Sequence, residues 1–304
     1  MRKRIVVILL LIIPVMAIAQ RRNRYKFEWF VCAGASNFLG ELGGADKVGT
    51  YYLKDLEFSA SRPAVAGGIR YKNSRFLGFK GVFSAGVVNG DDQYTKEIYR
   101  HNRNLNFRSP ITEISLQIEG YALSKDRQGH VYKIKNAKGS SRFDLDVYAF
   151  TGIAVFFFNP QGKYKGTWIN LRPLSTEGQG LPGGAPSYSL VSFAIPMGFG
   201  LKQSLDRHWS IGVEYGLRKT FTDYIDDVST VYYDKDIILA QRGITAQYMA
   251  DPSLHDSAVT PVAGQEITDK GMQRGNPKNK DSYMFAMTTL SYKIVYKKKT
   301  RSKF

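Results

Sequence analysis

Between Trp209 and Asp223 the side chains alternate in character at a period of two. Trp209, Ile211, Val213, Tyr215, Leu217 and Phe221 fall on one parity, and Ser210, Gly212, Glu214, Gly216, Arg218, Thr220 and Thr222 on the other. That period belongs to a strand with one apolar and one polar face. The run is long for a strand of a globular domain and suits one that crosses a bilayer at a tilt.

Seven further segments share the pattern. Phe27, Trp29, Val31 and Ala33 alternate with Glu28, Cys32, Gly34 and Ser36; Val65, Ile69 and Tyr71 alternate with Ala64, Ala66, Gly68 and Arg70. Leu77, Phe79, Phe83, Ala85 and Val87 oppose Lys80, Ser84 and Gly86, while Ile114, Leu116 and Ile118 oppose Glu113, Ser115, Gln117 and Glu119. Asp144 to Phe157 is apolar on both parities, so its facing is open. Phe193, Ile195, Met197, Phe199 and Leu201 oppose Ala194, Gly198, Gly200 and Lys202, and Tyr283 to Tyr296 completes the set. Pro196 lies inside the sixth strand, where a closed barrel has no edge to accommodate a missing N–H. A local bulge is the expected remedy.

Eight strands make the smallest usual barrel. The odd-numbered gaps hold about 27, 22, 33 and 57 residues and the even-numbered ones about 3, 20 and 4, with boundaries good to a few residues. Long loops on one side and short turns on the other predict an all-β, eight-stranded antiparallel transmembrane barrel with both termini in the periplasm. A soluble lipocalin-like barrel or sandwich would invert the faces. Small and charged residues on one parity suit a narrow lumen, and aromatics toward the strand ends of the other suit the membrane interfaces. The N-terminus agrees: Arg2, Lys3 and Arg4 precede an apolar run from Ile5 to Met16 and an Ala17-Ile18-Ala19 cleavage site. This predicts a secretory signal over 1–19, a barrel over 20–304 with a long extracellular loop at 225–281, and a basic tail at 297–304.

The inward parity carries Glu28, Glu113, Glu119 and Glu214 against Arg70, Lys80, Lys202 and Arg218. Unpaired buried charge is costly, so these groups are expected to pair and to plug the lumen; an ion or proton path is the alternative. Cys32 shares the parity, which predicts a buried thiol, the other reading being a cross-link to a partner.

The formal net charge is +17. Once the leader is removed, essentially the whole surplus falls on segments predicted to be periplasmic: Arg21, Arg22, Arg24 and Lys26; Lys72 and Arg75; Lys125 to Arg142, including Lys133 and Lys135; and Lys297, Lys298, Lys299, Arg301 and Lys303. Such a rim can rest on outer-membrane lipid headgroups or dock an acidic partner. Export makes nucleic acid an improbable ligand.

Catalytic chemistry has little support. His101, His130, His208 and His255 fall in loops or turns without metal-ligand spacing, so no metal or cofactor is expected. His101 beside Asp91 and Asp92 is the sole candidate for a surface enzyme. Asp223, Asp226 and Asp227 could bind calcium, but their spacing is not that of an EF-hand, and solvated turn acids or helix caps are the plainer reading.

The loops carry ordered blocks. Glu41-Leu42-Gly43-Gly44-Ala45-Asp46 with Val48-Gly49-Thr50 comes first, followed by Ser61-Arg62-Pro63-Ala64, Asn102-Arg103-Asn104-Leu105 and Phe107-Arg108-Ser109-Pro110. Phe158-Asn159-Pro160, Leu174 to Gly180 and Arg218 to Thr230 complete them. In this order and between these strands they resemble the PorG family, the small outer-membrane barrel of the type IX secretion system of Bacteroidetes. The resemblance spans nearly the whole mature chain. It implies a non-enzymatic component that ties a periplasmic ring, built by a lipoprotein and its partner subunit, to the outer membrane. Arg21, Arg22, Arg24, Lys133, Lys135, Lys297, Lys298 and Lys299 then become the candidate docking residues. An adhesin or receptor acting through the outer loops is the alternative.

Overall fold

Each alternating segment forms one long antiparallel strand, and the strands close on themselves. The structure is a computed structural model that describes residues 25–40, 42, 61–94, 97–124, 145–206, 208–254 and 267–295. The strands of the barrel are β1 (Tyr25–Leu39), β2 (Arg62–Lys72), β3 (Leu77–Asp91), β4 (Asn106–Ser124) and β5 (Leu145–Phe158). Between β5 and β8 lies a short hairpin, β6 (Gln161–Tyr164) and β7 (Thr167–Asn170). The barrel continues with β8 (Val191–Ser204), β9 (Trp209–Thr220) and β10 (Ser282–Val295). Neighbours in sequence pair in space, and β10 returns to β1, so the eight long strands leave no open edge. Closure removes the sheet edge whose unpaired backbone groups hydrocarbon could not hydrate.

The two faces separate as the parity predicts. Ile114, Leu116 and Ile153 are 64%, 65% and 68% exposed, whereas Glu113, Glu119 and Arg70 are each 0% exposed. A soluble protein does not show its aliphatic residues to solvent and hide its carboxylates, so the outer belt faces lipid. Aromatic side chains edge this belt. Phe27 packs on Tyr71 at 5.1 Å and Trp209 on Tyr292 at 5.1 Å near the chain termini, while exposed Phe157, Phe193 and Phe221 mark the opposite end. The ambiguous fifth strand is resolved by its neighbours: Tyr148, Phe150, Ala154, Phe156 and Phe158 are buried, and Ile153, Val155 and Phe157 face out.

The sixth barrel strand contains no bulge at Pro196. The β5–β8 register is the same on both sides of it, from Thr151↔Met197 to Ala154↔Ala194, and only the pairing of Ile195 and Pro196 is missing. On the other side Pro196 stays in register with Arg218. Two lost rungs accommodate the missing donor.

The end of the barrel away from the termini is closed by ordered structure. It comprises α1 (Ile98–Arg103), the β6–β7 hairpin, the segment 171–190, α2 (Lys235–Arg242) and α3 (Ile244–Ala250). The Asp234 carboxylate caps α2 by accepting from the amides of Asp236 and Ile237, and Gly243, at φ 86°, ends α2 and begins α3. At the opposite end β2 and β3, and likewise β8 and β9, are joined by short connections. No described helix is long and apolar enough to cross a membrane.

If the belt contacts lipid, Ile153→Arg will cost about 2–4 kcal/mol in vesicles, as expected for an arginine near the bilayer midplane. Urea unfolding of the refolded protein in liposomes would measure it; an effect no larger than that of Ile153→Ser would contradict the assignment.

Candidate functional site: charged lumen and cap

The barrel interior is filled. Arg70 of β2 donates through Nη1 to Glu28 of β1 at 2.6 Å and through Nε to Glu119 of β4 at 2.8 Å. Lys202 of β8 reaches Glu28 from the far wall at 2.8 Å, and Lys80 of β3 reaches Glu214 of β9 at 2.6 Å. The Tyr148 hydroxyl donates to Glu214 at 2.9 Å and accepts from Arg70 at 3.3 Å, joining the two groups. Nearer the cap, Arg218 donates to Glu113 at 3.1 Å, and Tyr283 donates to the same oxygen at 2.8 Å. The structure therefore brings together all eight inward charges, Glu28, Arg70, Lys80, Glu113, Glu119, Lys202, Glu214 and Arg218. Cys32 is buried among them, 3.3 Å from the Thr289 hydroxyl.

Two features of the lumen depart from the sequence reading. Lys72 does not belong to the terminal rim: it is buried inside the barrel, 3.3 Å from Asp146, which also lies 3.7 Å from Lys202. Lys293 is buried as well and donates to the Ser204 hydroxyl at 2.5 Å. The described lumen thus holds more ionisable groups than the four acids and four bases of the prediction. The second departure is aromatic. Phe30, Tyr121, Tyr148 and Phe150 point inward, with the Lys80 ammonium 4.9 Å from the Phe30 ring and the Lys72 ammonium 4.6 Å from that of Tyr121. Inward glycines admit them: a Cβ on Gly200 would lie 2.3 Å from the Tyr148 ring. The run of glycines on one parity was the available signal, since a narrow barrel alternates small and large residues.

The cap is organised by Glu177, which lies in a loop between barrel strands. Its carboxylate accepts from the amides of Ser229 at 2.9 Å and Thr230 at 3.1 Å, from the Thr230 hydroxyl at 2.8 Å and from Arg274 at 2.9 Å. Arg274 also donates to the Asp227 carbonyl at 2.7 Å, and its own carbonyl accepts from Arg103 at 2.9 Å. Asp227 adopts φ 65°, a left-handed conformation that Asp tolerates better than most residues. Its carboxylate accepts from Thr176 at 2.5 Å and Tyr188 at 2.6 Å. Tyr188 stacks on Tyr224 at 4.4 Å, almost parallel. The sequence blocks 174–180 and 218–230 are therefore two halves of one buried joint, and Arg274, which no motif pointed to, locks it. Gly178 in the first block has φ +75° and gives the space of its missing side chain to Tyr233.

This joint corrects the reading of the three aspartates. Asp223, Asp226 and Asp227 are buried rather than solvated, and the Asp223 carboxylate accepts from Ser229 at 2.8 Å. No group of metal-ligating side chains that could hold an ion occurs among the described residues. His101 is exposed on α1, while Asp92 is buried and paired with Arg103 at 2.8 Å. The rim residues Arg21, Arg22, Arg24, Lys133, Lys135, Lys297, Lys298 and Lys299 lie outside the described residues, as do the leader, His130, His255 and the basic tail.

A lipid-facing belt, a filled lumen and a closed eight-stranded wall define a transmembrane β-barrel of the outer-membrane type. Within that class the chain belongs to the DUF6089 family, a domain of unknown function, whose profile matches residues 2–237. A comparison with curated proteins finds no match. Among solved structures the chain is similar to the attachment invasion locus protein Ail of Yersinia pestis, with 7% identity over 88% of this chain and 99% of Ail at a TM-score of 0.36. Neisserial surface protein A matches with 8% identity over 88% and 97% of the two chains and a TM-score of 0.37. OprG of Pseudomonas aeruginosa matches with 9% identity over 90% and 99% and a TM-score of 0.36.

Removing one partner of a buried pair leaves an uncompensated charge, so Arg218→Met should cost about 3–5 kcal/mol, and Glu113→Gln added to it should recover much of the loss. Unfolding in detergent would reveal this sign reversal. In the cap, burial pushes Asp227 up to about 6, against the opposing pull of Arg274 and the two hydroxyl donors. The folded cap then binds this proton more tightly than the unfolded chain does. Its stability should rise as pH falls from about 7 toward 4, by up to about 3 kcal/mol from this group. Burial also raises Asp223 to about 6, so the protection factors of the amides over 223–230, taken against the intrinsic exchange rate at each pH, should rise on acidification in the wild type; Asp227→Asn should remove part of the change and Asp223→Asn/Asp227→Asn most of it.

Proposed function

We propose that this protein is a non-enzymatic outer-membrane component of the type IX secretion system, anchoring the periplasmic ring to the membrane through a basic periplasmic rim. The observation that carries this reading is the contrast between the two ends of the barrel. One end is sealed by the Glu177–Asp227–Arg274 joint over a lumen crowded with paired charge, which supports neither conduction nor a substrate cleft. The other end holds the first residue of β1 and the last of β10 and, by sequence, is expected to carry nearly all the surplus positive charge. A filled barrel is a rigid support, and complementary charge at its rim gives a partner orientation and register.

In this reading the cap faces the cell exterior and the termini face the periplasm. Arg21, Arg22, Arg24, Lys133, Lys135, Lys297, Lys298 and Lys299 meet acidic surface on the ring lipoprotein and its partner subunit, while neighbouring cations rest on inner-leaflet headgroups. A second reading, an adhesin or receptor, draws on the ordered cap, because a surface loop needs no buried ion-pair joint merely to connect two strands.

Deleting 297–304 and changing Arg21, Arg22 and Arg24 to Gln should reduce ring-subunit recovery in affinity capture from solubilised membranes at least tenfold, with the barrel still folded. Raising the salt should weaken the wild-type association in the same direction. Unchanged recovery and secretion would sink the docking claim. Loss of function on pruning 225–281, with the rim variants normal, would favour the receptor instead.

A further inference from the structure

The β6–β7 hairpin presents a face that neither the lumen nor the cap joint uses. Its Lys165-Gly166 turn has both residues at positive φ, 48° and 84°, the signature of a tight two-residue hairpin turn. The side chains therefore sort by register. Gly162 packs toward Met249 and Leu171 inside the cap, and Tyr164 packs on Tyr248 at 5.1 Å. The other face carries Lys163 opposite Trp168 and Gln161 opposite Asn170.

Arg108 of β4 completes that second face. Its guanidinium lies 4.5 Å from the Trp168 ring, and its Nε donates to Gln161 at 2.8 Å. Arg108 also shares the outward parity of β4 with Ile114 and Leu116, so it stands directly above the lipid-facing belt. Lys163 is exposed on this face, and Lys165 is exposed at the turn where the two faces meet, its ammonium 5.2 Å from the Tyr164 ring. No ion pair with a carboxylate involves Arg108, Lys163 or Lys165 among the described residues, although Asp91 lies close enough to Lys163 to feel its charge.

We propose that this face, formed by Arg108, Lys163, Lys165 and Trp168, binds the phosphorylated sugar headgroup of a lipid in the adjoining leaflet. A planar guanidinium held over an indole leaves its terminal N–H groups aimed outward for a phosphate. The two lysines add positive charge, and the indole adds an apolar plane for a sugar ring. Continuity with the lipid belt selects a membrane lipid over a soluble saccharide, because the headgroup of a lipid packed on Ile114 and Leu116 reaches the level of Arg108. The proposal rests on the orientation that places the cap outside.

The test uses purified full-length barrel in nanodiscs and, as probe, a bisphosphorylated glucosamine-disaccharide lipid, with its dephosphorylated form and its water-soluble saccharide portion as comparisons. Retention measured by native mass spectrometry should fall at least tenfold for Arg108→Ala/Lys163→Ala/Lys165→Ala and for the dephosphorylated lipid. It should be unchanged for Lys219→Ala/Lys278→Ala/Lys280→Ala, which removes the same charge elsewhere at the cap end. The single turn variant Lys165→Glu, in an exposed position, should weaken retention severalfold without disturbing the fold. Equal losses in the two triple variants, or equal binding of the dephosphorylated lipid or the soluble saccharide, would overturn the proposal. Labelling of Lys165→Cys on intact cells by an impermeant maleimide separates the two readings. Labelling only after lysis would overturn both the orientation and the outer-leaflet source, whereas surface labelling with no lipid retention would overturn the headgroup site alone.

Discussion

A charge inside an eight-stranded barrel can neither reach bulk water nor remain unpaired, and the lumen is built around that constraint. Glu28 illustrates the solution. Arg70 approaches it from the neighbouring strand and Lys202 from the opposite wall, so one carboxylate draws β1, β2 and β8 together. Arg70 in turn holds Glu119, and Tyr148 passes the network to Glu214 and Lys80. Glu28, Arg70, Tyr148 and Glu214 each hold two or more partners, so the network has few alternative arrangements and sets the strands in one register around it.

The same principle recurs in the cap with different materials. Segments of irregular backbone must find partners for their amides when they are buried, and here a single carboxylate, Glu177, serves two of them. Arg274 neutralises that carboxylate and ties in the carbonyl of Asp227. Through Arg103 the joint reaches buried Asp92 at the foot of α1, so three separate connections behave as one lid. A lid assembled in this way is rigid for electrostatic as much as for hydrophobic reasons, and its two acids raised to about 6, Asp223 and Asp227, make it sensitive to mild acidification.

The division of the molecule into a sealed, cross-linked end and a basic, terminus-bearing end frames its proposed work as a support rather than a catalyst or conduit. Hairpin β6–β7 adds a third surface, beside the lipid, where a guanidinium stands over an indole beside an exposed lysine. In the proposed reading the three surfaces would meet different neighbours: lipid headgroups, the periplasmic partner and the exterior.

The sequence alone determined the faces of the strands, because alternation at a period of two is a local property that backbone geometry enforces wherever a strand forms. Ile114 and Glu113 were assigned to opposite sides without any knowledge of their neighbours, and the inward charges were legible for the same reason. Where both parities are apolar, as from Asp144 to Phe157, the local signal vanished and only pairing with β4 and β8 chose the side. Lys72 looked like a rim residue because it ends its strand, yet register with β3 and a carboxylate on β5 draw it inward. Arg274 carried no motif at all; its importance exists only because folding sets it 2.9 Å from Glu177, 97 residues away in sequence. Side-chain facing follows from the residue and its immediate neighbours, whereas ion-pair partners depend on strand register, closure and loop packing, which only the tertiary structure decides.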